Sequence, residues 1–238
     1  MKKTFLFALC FSAGTAFAQN GFFLQPEIGA GYTNAHANIP EARYPQEYYT
    51  TKSYFTYNFQ LGAGYHFNNW TISSGAGFLR SGYVGHYVSS IGVIQTDIKT
   101  TKYGYQVIVP ITIAYQFNIN KRFFITPGIG GAVSYNCSEK EIIKSKYWDV
   151  AEHKSITGHS FDSMYHRISM WGIVQARVGY KINNRLNIIA GPEVQYMLTS
   201  ILKDKNGYQR NYVYTFNAGI MWNLFNERKV GEEAPMTK

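Results

Sequence analysis

Between Tyr103 and Phe117 the chain reads YGYQVIVPITIAYQF, and every odd-numbered residue in it is apolar or aromatic. Successive side chains on a strand point to opposite faces. The run therefore predicts one unbroken apolar face, with Gly104, Gln106, Thr112, Ala114 and Gln116 on the other. It is longer than most soluble strands and suits one that crosses a bilayer, which takes roughly 9 to 11 tilted residues.

The same alternation recurs and predicts strands near 22–33, 54–67, 70–84, 101–117, 122–136, 166–181, 185–199 and 212–225. Their connections sort by length. Asn68-Asn69, Asn118 to Lys121 and Ile182 to Asn184 are short and rich in Asn, which tolerates the left-handed backbone of tight hairpins. Residues 34–53, 85–100, 137–165 and 200–211 form long connections. An even strand count, with short turns at one end and long loops at the other, predicts an all-β fold. It is an eight-stranded antiparallel transmembrane β-barrel with short periplasmic turns and long extracellular loops. A soluble sandwich scatters its hairpins over both ends.

Aromatic residues at the strand ends predict two interfacial girdles. Phe67, Trp70, Phe117, Phe123, Tyr180, Trp222 and Phe225 form the periplasmic one, and Tyr57, Tyr83, Tyr103, Tyr135, Tyr196 and Tyr214 contribute to the other. The pairs Gly29/Gly31, Gly62/Gly64, Gly75/Gly77 and Gly128/Gly130 fall on the inner face, where they leave room for larger neighbours. Pro26, Pro110, Pro127 and Pro192 run against the pattern, because proline removes a ladder donor and a barrel has no free edge. A bulge that shifts the alternation by one residue is the expected remedy at each.

Composition agrees with this architecture. The 20 tyrosines and 16 phenylalanines are many for a chain with no 18-residue apolar run beyond its start. Only alternate barrel residues touch lipid, so average hydropathy stays modest. Lys2 and Lys3, the apolar run from Phe5 to Phe11, and Ala16 and Ala18 predict a signal peptide over 1–18. The barrel domain then spans 19–225, and 226–238 is a charged periplasmic tail beyond the final aromatic residue. Cleavage removes Cys10, and Cys137 alone forms no intramolecular disulfide. The formal charge of +9 falls by two, to +7, with Lys2 and Lys3. An exported chain is not expected to meet nucleic acid. The expected partners are outer-membrane lipid and lipopolysaccharide, towards which Arg80, Lys99, Lys102 and Arg167 are candidate attractors, and a protein or glycan at the loops.

Candidate chemistry is sparse. Glu27, Gln60, Gln106, Gln175, Arg177, Glu193 and Gln195 fall on the predicted inner face of a lumen that side chains fill. Isolated buried charge is expensive, so Arg177 is expected beside Glu27 or Glu193, with Gln60 and Gln195, in a polar plug. That plug reads either as structure or as a gate in a narrow channel. His153, His159 and His166, near Asp149, Glu152 and Asp162, match no compact metal motif. A lipid-modifying enzyme would need a serine and a histidine in hydrogen-bond reach, and spacing selects none among Ser73, Ser81, Ser89, His86 and His166. No catalytic, cofactor or metal residue is assigned.

Three segments carry a family resemblance: LQPEIGAGY from Leu24 to Tyr32, VIVPITIAY from Val107 to Tyr115, and FITPGIGGA from Phe124 to Ala132. They resemble the strand signatures of the PorT-like outer-membrane β-barrel family of small, porin-like proteins, over nearly the whole mature chain. The resemblance implies a Gram-negative outer-membrane barrel with prolines as family features. It also implies a possible place in a secretion-associated complex, since the family takes its name from a component associated with a protein-secretion and gliding system. The residues favour a non-enzymatic, monomeric barrel whose loops make the contacts, with a narrow channel and a lipid A-modifying enzyme as alternatives.

Overall fold

The computed structural model describes residues 21–38, 49–91, 94–147, 150–157, 166–201 and 208–224. The strands in chain order are β1 (Phe22–Asn38), β2 (Tyr49–Lys52), β3 (Tyr54–Phe67), β4 (Trp70–Ile91), β5 (Ile94–Tyr115), β6 (Phe117–Asn118), β7 (Phe123–Tyr147), β8 (Val150–Thr157), β9 (Ile168–Lys181), β10 (Leu186–Met197) and β11 (Tyr208–Asn223). All pairings are antiparallel. The order β4-β3-β1-β11-β10-β9-β7-β5 closes on itself through β4 and β5, which makes a ring of eight long strands. Short β2 and β8 extend the sheet beside β4 and β7, and β6 continues β5 towards the turn.

The ring separates two solvents by residue parity. Along β10 the interior residues Asn187, Ile189, Gly191, Glu193, Gln195 and Met197 are buried, and the residues between them face out. The outward set is apolar on every strand, with Ile28, Leu61, Ile72, Ile111, Ile129, Val174, Ile188 and Phe216 all exposed. So much exposed apolar surface belongs in lipid. The inward apolar residues fill two layers. Phe23, Phe124, Ile189 and Met221 pack near the turn end, and Leu79, Ile108, Trp171, Ile173, Met197 and Val213 pack further up.

The turns use asparagine in two ways. Phe67 and Trp70 face each other across Asn68-Asn69, and Asn68 takes the left-handed conformation with φ 54°. The other two turns share the sequence pattern Ile-Asn-x-Arg. The side-chain oxygen of Asn120 accepts from the backbone N–H groups of Arg122 and Phe123, and that of Asn183 does so from Arg185 and Leu186, each at 2.8 Å. These bonds satisfy donors that the ladder cannot reach. Aromatic rings cluster at this rim: Trp70 meets Tyr115, Tyr115 meets Phe117, and Phe123 meets Tyr180, with Trp222 exposed beside them. Phe225, the signal segment and the tail lie outside the described residues.

Three expectations are corrected. First, the prolines produce no bulge. Beside each one the ladder omits two rungs on one side and resumes in the same register, as between Leu24↔Trp222 and Glu27↔Gly219 near Pro26, and between Ala190↔Val178 and Glu193↔Gln175 near Pro192. A proline lacks one donor, and leaving a local gap is enough to accommodate it. The irregularity between β5 and β7 lies at Cys137 instead, where Tyr105 pairs with Ser138 and Gln106 with Asn136. Second, much of the stretches 85–100 and 137–157 is strand, because β4, β5, β7 and β8 run on past the lipid as a four-stranded wall. Third, Tyr83 is buried, 6 % exposed, and belongs to the lumen side of β4 rather than to a girdle.

Replacing Asn68 by Val should lower the stability of the folded barrel by about 1 to 2 kcal/mol, since a β-branched residue resists the left-handed region, whereas Asn68→Gly should leave it unchanged. Urea midpoints in detergent micelles check this.

Candidate functional site inside the barrel

The lumen midway along the strands holds a charged cluster drawn from β1, β9 and β10. Arg177 donates from Nε to Glu27 Oε1 at 3.1 Å and from Nη2 to Glu27 Oε2 at 3.2 Å, a forked pair that matches the planar guanidinium to a carboxylate. The same Nη2 donates to Glu193 Oε2 at 2.6 Å, and Nη1 donates to the backbone oxygen of Pro192 at 3.0 Å. Gln195 donates to the other oxygen of Glu193 at 2.6 Å, and Gln25 donates to Glu27 at 3.1 Å. Glu27, Arg177 and Glu193 are each at most 5 % exposed. The cluster holds two carboxylates to one guanidinium.

Two glycines make the cluster possible. A side chain on Gly191 would lie 1.9 Å from the Ala176 oxygen and 3.0 Å from the Arg177 Cα. One on Gly219 would lie 2.3 Å from the Pro26 oxygen and 2.7 Å from Glu27 Cγ. β9 and β10 therefore close up where Arg177 leaves the wall, and β1 and β11 close up where Glu27 does. Arg177 thus reaches across the lumen to a strand that is not its neighbour.

Gln60 stands directly opposite Glu27 on β3 and lines, with Glu27, Ser73, Thr112, Gln175 and Glu193, a cavity of about 30 Å³. That volume admits one or two water molecules. A second cavity of about 20 Å³ lies nearer the extracellular end, beside Lys102, Gln106, Glu139 and Asn211. Lys102 faces it, with Glu139 at 3.8 Å, so it does not join Arg80 and Lys99 on the lipid side. Gln106 donates to Ser81 at 3.0 Å, and Trp171 donates to Ser134 at 2.8 Å. Asn58, Asn217 and Thr215 carry buried polar atoms without a hydrogen-bond partner among the described residues. Gln25, Asn58 and Asn217 were not among the expected plug residues, although their parity places them on the same face.

Ser73 and Ser81 lie on the lumen face of β4, bonded to Thr112 and Gln106, while His86 lies on the outer face. The side chain of Ser89 is outside the described set, as are His159, Asp149, Asp162 and the side chains of Glu152 and His153. His166 is exposed, its backbone bonded to Ile201. No group of three or more His, Cys, Asp or Glu side chains suited to a metal ion occurs among the described residues.

A closed antiparallel ring with an apolar exterior and a polar, packed lumen defines an integral outer-membrane barrel. The chain belongs to the outer membrane protein beta-barrel domain family, whose model matches residues 4–223. It accordingly resides in the outer membrane of a Gram-negative bacterium. No curated protein matches it. Similar solved structures include the Neisserial surface protein A, at 14 % identity and a TM-score of 0.41, over 84 % of this chain and 96 % of that one. The outer membrane protein OprG from Pseudomonas aeruginosa is similar at 11 % identity and 0.42, over 88 % and 97 %. The attachment invasion locus protein Ail of Yersinia pestis is similar at 17 % identity and 0.30, over 83 % and 98 %.

Arg177→Met should destabilise the barrel by about 3 to 5 kcal/mol, because two buried carboxylates then lose their partner. The combined variant Glu27→Gln, Arg177→Met, Glu193→Gln should recover most of that loss. Gly191→Val should cost about 1 to 3 kcal/mol by forcing β9 and β10 apart. Unfolding in urea, followed by tryptophan fluorescence, reads all three.

Proposed function

We propose that the protein is a non-enzymatic, monomeric barrel that presents its extracellular hairpins for binding or envelope organisation. We further propose that its PorT-like strand signatures extend to a role as a subunit of a secretion-associated complex. The observation that carries this reading is the wall formed by β4, β5, β7 and β8, which continues well past the lipid-facing band as a ladder unbroken beyond the irregularity at Cys137. A ladder that long holds the loops at its tip at a fixed distance from the membrane. Binding residues are commonly mounted on such rigid supports. The filled lumen supports the same view, because a barrel of eight strands packed by a salt-bridged cluster leaves little continuous path for solute.

Purification of the tagged protein from its own outer membrane in mild detergent should recover a stoichiometric partner, identified by mass spectrometry. A variant shortened at 143–152, the tip of the β7–β8 hairpin, should lose that partner while the barrel still folds. Recovery of the barrel alone from the full chain would remove the complex from the proposal. Planar-bilayer recordings should show no reproducible conductance steps for the native protein, and frequent openings would favour the narrow-channel alternative.

A further inference from the structure

The outer face of the projecting wall carries a group of basic residues just above the membrane. Lys99 on β5 and Lys144 on β7 are direct cross-strand partners, both exposed, and His86 on β4 stands opposite Lys99 in the same row. Lys140 faces Tyr103 two rows nearer the membrane, and Lys52 on β2 lies opposite Val84. Two carboxylates of β7 go the other way: Glu139 turns to the lumen beside Lys102, and Glu141 shares its row and face with Lys102. Among the described residues, Lys99, Lys140 and Lys144 have no carboxylate partner. In the next row outward the ladder register sets Asp97 opposite Lys146. Like charges placed directly opposite weaken a ladder, so an anion across the Lys99–Lys144 rung would stabilise it.

The wall's position identifies the anion. Arg80 marks the outer border of the apolar band, ten residues along β4 from Trp70, or roughly 26 Å at the tilt of a membrane barrel. Its guanidinium lies 4.5 Å from the ring centre of Tyr103, 4.8 Å from Tyr54 and 5.6 Å from Tyr57, and it donates to the Tyr54 hydroxyl. Arg80 pairs with Tyr105, and the rows of Lys140 and Lys99 follow two and six residues further along β5, which sets them roughly 5 and 16 Å above the border. A phospholipid headgroup layer is only about 5 to 8 Å deep. An anion that engages both rows belongs to a larger headgroup, phosphorylated at more than one level and rooted in the outer leaflet.

We propose that the outward wall bearing Lys99, Lys140 and Lys144, above the tyrosine-caged Arg80, docks the phosphate groups of an outer-leaflet glycolipid. The full-length protein in detergent is titrated with a phosphorylated lipopolysaccharide, with the same glycolipid after phosphatase treatment, and with phosphatidylglycerol, and bound lipid is counted by native mass spectrometry. The phosphorylated glycolipid should bind at least tenfold more tightly than either control. Lys144→Glu, which turns the like-charged rung into a complementary one, should weaken that binding at least tenfold and raise the thermal midpoint of the lipid-free barrel. The neutral variant Lys99→Gln, Lys140→Gln should weaken binding with no change in heat-dependent gel mobility, which reports folding. Equal binding of the three lipids, unchanged affinity in the variants, or a lipid-free midpoint that does not rise in Lys144→Glu would overturn the proposal.

Discussion

Within hydrocarbon, a peptide N–H or C=O left without a partner finds no water to replace it, and each such group costs several kcal/mol. The pairing of β4 with β5 is what meets this constraint, since it joins the two ends of the strand order and leaves no edge in the lipid. Everything else in the membrane-embedded part follows from closure. A closed ring of eight strands has a fixed width, so its lumen must be filled by the residues of one parity and its outside greased by those of the other. The prolines show how much slack closure allows: Pro26, Pro127 and Pro192 face out, Pro110 faces in, and each is absorbed by a local gap instead of a change in register. At Pro110 the gap is bridged by Ser74, whose hydroxyl donates to the proline oxygen at 3.0 Å.

The lumen is then a packing problem with charges in it. Arg177 lies between two apolar layers, and its cost there is offset only because four acceptors converge on it. The arrangement ties β9 and β10 to β1 across the interior, a connection that the hydrogen-bonded wall alone does not supply. Strands on opposite sides of the ring are therefore coupled by polar contacts at mid-depth and by ring and aliphatic packing at either end.

Legibility in the sequence tracks the solvent. Where one face meets lipid and the other meets the lumen, as from Tyr103 to Tyr115, the alternation is strong and the strand can be read directly. Past the membrane both faces of the sheet meet water, the alternation fades, and residues such as Thr96 to Thr100 read as loop although their ladder is unbroken. The inner face was legible by parity for Glu27, Arg177 and Glu193. Which of them meet depends on tilt and on the close approach at Gly191 and Gly219, which no spacing reveals. Lys102 was misread for another reason: as a cation near the membrane it suggests lipid, yet its even number in β5 already assigned it to the lumen.

The irregularity at Cys137 is a single extra residue. Before it, the odd-numbered residues of β7 point outward; after it, the even-numbered ones do. Had the chain run through without it, Glu139 and Glu141 would point outward and Lys140 and Lys144 would be turned inward. The sign of the charge that β7 shows to the exterior beyond the membrane is therefore a matter of phase, set by the count of residues and not by their identity. An insertion or deletion of one residue near this point would exchange Lys140 and Lys144 for Glu139 and Glu141 on the outer face of β7 without altering a single charged side chain.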